Sequence, residues 1–270
     1  GRLIGGVGMI DNANECLMKC FIENRLGKKA SPLNYHQGFT EQEKGMIKHG
    51  AIESIWKDII KNRINMNLET DHAALIALNE AELGFMISEA IEAEIIFIDR
   101  EDVSDGMLAL EIKHLHETLS QWMVVEKQRA PFNIQSLEKS ADIALAGFTV
   151  KIRLDRVDSM VNGENSPKIV ALDYKSSEHS TTSDFGSNLK SQLPLAAIAC
   201  EADGVGYITL QKNNTVLNGL ANQADIIEGM TGIEKHRVPG LPKVWDKAII
   251  QTKERIESVV KKVANGGLIY

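Results

Sequence analysis

The sequence predicts an α/β protein whose helical first part leads into an antiparallel meander of short strands and then returns to helix. Three observations predict it: apolar residues recur at helical spacing up to about residue 129, short apolar runs bounded by turn residues begin at Phe132, and helical periodicity resumes at 244–263.

Taken in order, Thr40 with Glu43 three residues later is a capping-box signature. It opens a helix carrying Met46, Ile47, Ile52, Ile55, Trp56, Ile59 and Ile60. A second helix is predicted over 73–97 and a third over 107–129, the latter stopped by Ala130-Pro131. Strands are predicted over 134–137, 143–145, 148–157 and 168–175, the last apolar throughout and therefore central. The turn cluster at 162–167 precedes that last strand. A helix beginning near 187–192 tolerates Pro194 in its first turn. One more strand covers 206–210, after which a polar stretch gives no clear element. With no internal repeat or low-complexity linker, the chain reads as one domain, 1–270: a mainly helical part to 130, a sheet core over 131–215 and a helical part over 216–270.

Composition narrows the classes. The chain has 270 residues, 43% hydrophobic and 25% charged, with no window near the roughly 18 apolar residues a membrane span needs. Its start has no signal-peptide order and no initiator methionine, which suggests a piece of a longer polypeptide in a cytoplasmic setting. Cys16, Cys20 and Cys200 are too few for a disulfide framework and read as small buried hydrophobes in a reducing compartment. The net charge of −7 argues against a generally basic nucleic-acid binder, yet between Ser120 and Gln192 acidic and basic residues balance, so the excess negative charge lies elsewhere.

The chemistry centres on Arg153-Leu154-Asp155 and Asp173-Tyr174-Lys175. The chain holds two acid-x-Lys tripeptides. Glu111-Ile112-Lys113 lies in a helical pattern, where residues two apart diverge; Asp173 and Lys175 lie in a strand, where they share a face. Two carboxylates and a lysine on adjacent strands are parts of a metal-dependent phosphodiesterase. Each residue also has a bland reading. Asp155 could pair with Arg153 or Arg156; His49, beside Ile52 and Trp56, could be a core histidine; Glu138 could be a solvated strand end; Gln192 could simply start a helix; Asp158 reads as structural. His36, His72, His114, His116, His179 and His236 show no metal-ligand spacing.

Six segments in order carry a resemblance. These are Cys16 to Phe21 with Arg25-Leu26-Gly27; Gly45 to Glu53 around His49; Glu126-x-x-Arg129-x-Pro131-Phe132 with Glu138; Leu154-Asp155-Arg156-Val157-Asp158; Leu172-Asp173-Tyr174-Lys175-Ser176; and Gln192-Leu193-Pro194-Leu195. Together they resemble the PD-(D/E)xK nuclease superfamily, in particular its RecB-like branch. The resemblance implies a restriction-endonuclease-like core, a mixed sheet with an antiparallel meander flanked by helices. It implies Mg²⁺ or Mn²⁺ held by His49, Asp155, Asp173 and the Tyr174 carbonyl, and catalytic roles for Asp155, Asp173, Lys175, Glu138 and Gln192.

The implied activity is hydrolysis of phosphodiester bonds in DNA, in repair or recombination, with a helicase or ATPase module upstream or in a partner, since no Gly-x-x-x-x-Gly-Lys loop occurs here. A catalytically silent DNA-binding scaffold and an RNA-directed nuclease are the alternatives. Two departures stand out. The cysteine triplet that completes an iron–sulfur cluster in some relatives is missing, so no cluster is predicted, and Leu17 stands where the family usually has proline.

Overall fold

A computed structural model describes residues 6–28, 38–98, 103–161, 167–186, 190–224 and 226–265. His36, residues 162–166 of the turn cluster and residues 187–189 of the predicted helix start lie outside the described residues. Helices α1 (Gly6–Glu15) and α2 (Leu17–Cys20), the latter running into a π-helical turn at Phe21–Arg25, precede α3 (Glu41–Asn65), α4 (Asp71–Ala77), α5 (Glu80–Ile95) and α6 (Asp105–Gln128). Then come β1 (Phe132–Leu145), β2 (Phe148–Met160), β3 (Lys168–Lys175), α7 (Thr181–Phe185), α8 (Gln192–Ala199), β4 (Gly204–Gln211), β5 (Asn214–Ala221), β6 (Met230–Gly232) and α9 (Trp245–Asn265).

The capping box at the start of α3 forms as the sequence predicts. Thr40 Oγ1 accepts from the Glu43 N–H at 3.2 Å and Glu43 Oε2 accepts from the Thr40 N–H at 2.7 Å, a pair of contacts typically worth about 1 kcal/mol. The helix predicted over 73–97 is instead two. Leu78 is extended (ψ 127°) and Asn79 builds a second capping box with Glu82, so helical signalling restarts where the apolar period alone ran through. The two strands predicted over 134–137 and 143–145 are one fourteen-residue strand, because β2 pairs with it along its whole length. The polar stretch after β4 supplies β5 and β6, so the part over 216–270 is not purely helical. Most of β5 has a half-buried alternation that reads weakly in sequence.

The six strands form one mixed sheet in the order β1-β2-β3-β4-β5-β6. β1, β2 and β3 make the predicted antiparallel meander; β4 joins β3 in parallel after the crossover through α7 and α8, and β5 returns antiparallel. Apolar side chains separate by sheet face into two cores. One holds Ile47, Ile52, Ile55, Trp56, Ile87, Leu119 and Trp122 from α3, α5 and α6 against Val170, Leu172, Tyr174 and Ile208. The other holds Met9, Leu193, Leu195, Ile256 and Val260 from α1, α8 and α9 against Ile152, Leu154, Ala171, Val205 and Tyr207. On β3 the period of two thus sends Tyr174 towards α3 and α6, and Asp173 and Lys175 towards α8.

Besides a register shift between Ile134 and Ser136, a second irregularity interrupts the pleat of β1 and β2. Val150, Ile152 and Leu154 face the α8 side, yet Arg156 stacks on Trp56 and Phe132 on the other. Alternation therefore breaks at Asp155. On the partner strand, Glu138 lies between the pairs Leu137↔Arg156 and Lys139↔Leu154 with φ +48°. A left-handed non-glycine residue inside a strand is held there by its surroundings, and such local distortions re-aim side chains.

Candidate metal centre

Four elements converge at that irregularity. His49 from α3 places Nδ1 3.4 Å from Asp155 Oδ2 and 3.7 Å from Glu138 Oε1. Ligand atoms of His49, Glu138 and Asp155 all lie within 4.8 Å of one another, and among the described residues no other group of three His, Cys, Asp or Glu does so. His49 Nε2 lies 3.0 Å from the Tyr174 carbonyl. A carbonyl only accepts, so in this arrangement Nε2 carries the proton and the Nδ1 lone pair faces two carboxylates. Three electron-pair donors aimed at one another need a proton or a cation between them. This donor set of one imidazole and two carboxylates fits a divalent metal of intermediate hardness.

The next residues on β3 extend the site. The Tyr174 N–H donates to Asp155 Oδ2 at 3.0 Å, fixing that carboxylate. Lys175 Nζ lies 2.6 Å from Asp173 Oδ2. The contact is an ion pair without hydrogen-bond alignment, which leaves Oδ2 a buried oxygen with no donor. Gln192, the first residue of α8, joins the pair: its amide donates to Asp173 Oδ1 and its Oε1 accepts from Lys175 at 3.3 Å. Arg153 is bonded to Glu138 at the solvent side.

The electrostatics are unbalanced. Burial, reinforced by the negative charge of Asp155 and opposed by Lys175, pushes the Asp173 carboxyl up to about 7. Burial pulls the His49 imidazole down, but the Glu138 hydrogen bond and the charges of Asp155 and Asp173 outweigh it and leave it raised. For Glu138, bonds from His49 and Arg153 outweigh burial and lower it.

The structure therefore brings His49, Glu138, Asp155, Asp173, Tyr174, Lys175 and Gln192 into one place. The close donor trio includes Glu138, whereas Asp173 is engaged by Lys175 and Gln192, and the Tyr174 carbonyl is taken up by His49. The alternative pairing of Asp155 with Arg153 or Arg156 does not occur: Arg153 goes to Glu138 and Arg156 turns inward. Of the cysteines, Cys20 is buried, but Cys16 is exposed, because it precedes α2 in extended conformation instead of lying on it.

Directly behind the site lies a set of residues whose role the sequence left unassigned. Arg156 donates to Glu126 Oε1 at 2.7 Å, to Asp158 at 2.6 and 2.8 Å, and to the Tyr174 hydroxyl at 3.2 Å. Arg129 bridges the same two acids at 2.7 and 2.8 Å. The available signal was Glu126 three residues before Arg129 at a helix end, with Arg156 and Asp158 two apart in an apolar strand. Asp158, read as structural, is part of this network.

Fold and site together define a mixed α/β sheet carrying a carboxylate–histidine cluster next to an aspartate–lysine pair. A family model for the PD-(D/E)XK nuclease superfamily matches residues 8–264, and the chain belongs to that superfamily. Its members are nucleases that use divalent metal ions. No curated protein matches the chain. Among the described residues, no helix is long and apolar enough to cross a membrane.

Proposed function

We propose that this chain is a Mg²⁺- or Mn²⁺-dependent deoxyribonuclease domain of the RecB-like branch, hydrolysing phosphodiester bonds in DNA repair or recombination in the cytoplasm. The observation that carries the reading is the convergence of His49 Nδ1, Glu138 and Asp155 beside the Asp173–Lys175 ion pair. His49, Glu138 and Asp155 would hold the cation, with Asp173 the next carboxylate available to it. A bound divalent cation supplies Lewis-acid stabilisation of the charge that develops on the phosphodiester oxygens. An imidazole in the set favours Mn²⁺ over Mg²⁺.

Lys175 offers an ammonium on the face shared with Asp173, where it orients the attacking water and offsets phosphate charge. Gln192 holds both partners of that ion pair at once, so it fixes their relative position. Tyr174 works through its backbone, orienting Asp155 by its N–H and His49 by its carbonyl. A helicase or ATPase module, in the same polypeptide or in a partner subunit, would act here as the supplier of strand.

The test is incubation with linear single- and double-stranded DNA and with RNA, with and without Mn²⁺, beside Asp173→Ala and Lys175→Ala. Metal-dependent cleavage of DNA lost in both variants is the expected outcome. Cleavage surviving both would remove these residues from the site. Faster cleavage of RNA would reassign the substrate, and wild type inactive with every metal would favour a silent DNA-binding module.

A further inference from the structure

A cleft of about 380 Å³ opens between α3, α6 and the ends of β3 and β4. Its wall includes Lys44, Lys48, Ser176, Gln211 and Lys212, together with the acids Glu41 and Glu111. Lys48 precedes His49 in α3, and the helical step of about 100° per residue turns the two side chains to different sides. Lys48 is only 8% exposed, and Nζ donates to the Leu210 carbonyl at 2.7 Å. An ammonium has three donors. Among the described residues no carboxylate lies within ion-pair distance of it, whereas the neighbouring lysines are engaged: Lys44 by Glu111 and Glu41 at 3.2 and 3.3 Å, and Lys212 by Glu117 at 3.0 Å.

A buried cation with one neutral acceptor is costly. An anion entering the cleft would offset that cost. The position of the cleft says which anion. Ser176 follows Lys175 directly, Gln211 donates to the Ser176 carbonyl at 3.1 Å, and Gly45 of α3 passes so close that an added Cβ would lie 3.6 Å from Ser176 Oγ. Ser176 and Lys175 are adjacent residues, with Cα atoms about 3.8 Å apart, so the cleft opens at the same end of β3 as the Asp173–Lys175 pair.

We propose that Lys48, with the Ser176 hydroxyl, forms a phosphate subsite that grips the nucleic-acid backbone next to the scissile position. The proposal rests on the nuclease reading and adds a residue that binds substrate without touching the reacting atoms. Binding of a fluorescein-labelled single-stranded oligonucleotide is measured by anisotropy over a series of salt concentrations, for wild type, Lys48→Gln, Lys48→Met and Lys48→Arg, with thermal midpoints recorded and Mn²⁺-dependent cleavage followed in parallel.

The expected result for Gln and Met is weaker binding, a salt slope smaller by about 0.7 for the one lost contact, and a raised KM with kcat nearly unchanged. Arg should recover most of the affinity. Should the neutral variants fail to fold, protection of wild-type Lys48 from reductive methylation by bound oligonucleotide, read by peptide mass, replaces them. Unchanged affinity and slope in folded Gln and Met variants, or no protection, overturns the subsite while leaving the nuclease reading intact. A wild type that neither binds nor cleaves overturns both.

Discussion

Two clusters of charge share the same two strands and differ in how they are balanced. Behind β2 and β3, Glu126 and Asp158 face Arg129 and Arg156; all four are buried, and the signs cancel. In front, Glu138, Asp155 and Asp173 face Lys175 and the partly exposed pair Arg153 and His49, and one Asp173 oxygen has no donor. The rear cluster is complete as built and ties the C-terminal end of α6 to the sheet. The front cluster is arranged for something further, and burial, reinforced by the charge of Asp155, pushes Asp173 to about 7. Tyr174 connects them: its hydroxyl meets Arg156 behind, and its backbone meets Asp155 and His49 in front.

The difference can be broken from either side. Arg156→Met removes one cation of the rear cluster and leaves two buried carboxylates undercompensated. It should cost about 3–5 kcal/mol, a fall of roughly 10 °C in thermal midpoint for a chain of this size. A variant as stable as wild type would mean that the rear network is slack.

In front, Gln192→Ala should leave stability nearly untouched while lowering kcat by about 10–100-fold, the usual loss when a group that orients a metal-site carboxylate is removed. An equal fall in midpoint and rate would place Gln192 with the scaffold instead. Asp173→Asn should abolish cleavage yet raise the metal-free midpoint by about 2–4 °C, corresponding to about 1 kcal/mol, because it removes a like charge from a buried pair. A lower midpoint would show the front cluster to be balanced after all.

A pH-dependent effect concerns Asp184 in α7, which burial, opposed by the Tyr207 hydroxyl's hydrogen bond, pushes from 3.8 up to about 7. Between those values the folded protein keeps a proton that the unfolded chain has released, so stability declines as pH rises through that window. In Asp184→Asn this part of the decline should vanish, seen as a shallower fall in midpoint between about pH 4 and 7. Parallel profiles for the two proteins would contradict it.

How far the fold and the site were legible in sequence depends on the physics of each signal. Local signals read well: the Thr40–Glu43 capping box, the apolar run of β3 and the shared face of Asp173 and Lys175 all depend on residues within one turn or one pleat. Signals made by distant pairing did not. β1 looked like two strands because only β2 reveals its continuity, and β5 and β6 become strands through their partners.

The candidate site residues split the same way. His49 as a ligand and Glu138 in a catalytic role were implied by a resemblance, but that Glu138 and not Asp173 completes the close trio depends on its φ of +48° and on the break of alternation opposite it. The roles of Glu126, Arg129 and Arg156 were hidden because their partners are up to 30 residues away.

The most direct test of the front cluster as a metal centre is calorimetric titration of Mn²⁺ into wild type and Asp155→Asn, with Arg153→Gln as a control outside the ligand trio. A metal centre at this place predicts a binding isotherm for wild type and Arg153→Gln, and an affinity at least about tenfold weaker in Asp155→Asn. Equal Mn²⁺ affinity in wild type and Asp155→Asn would contradict it.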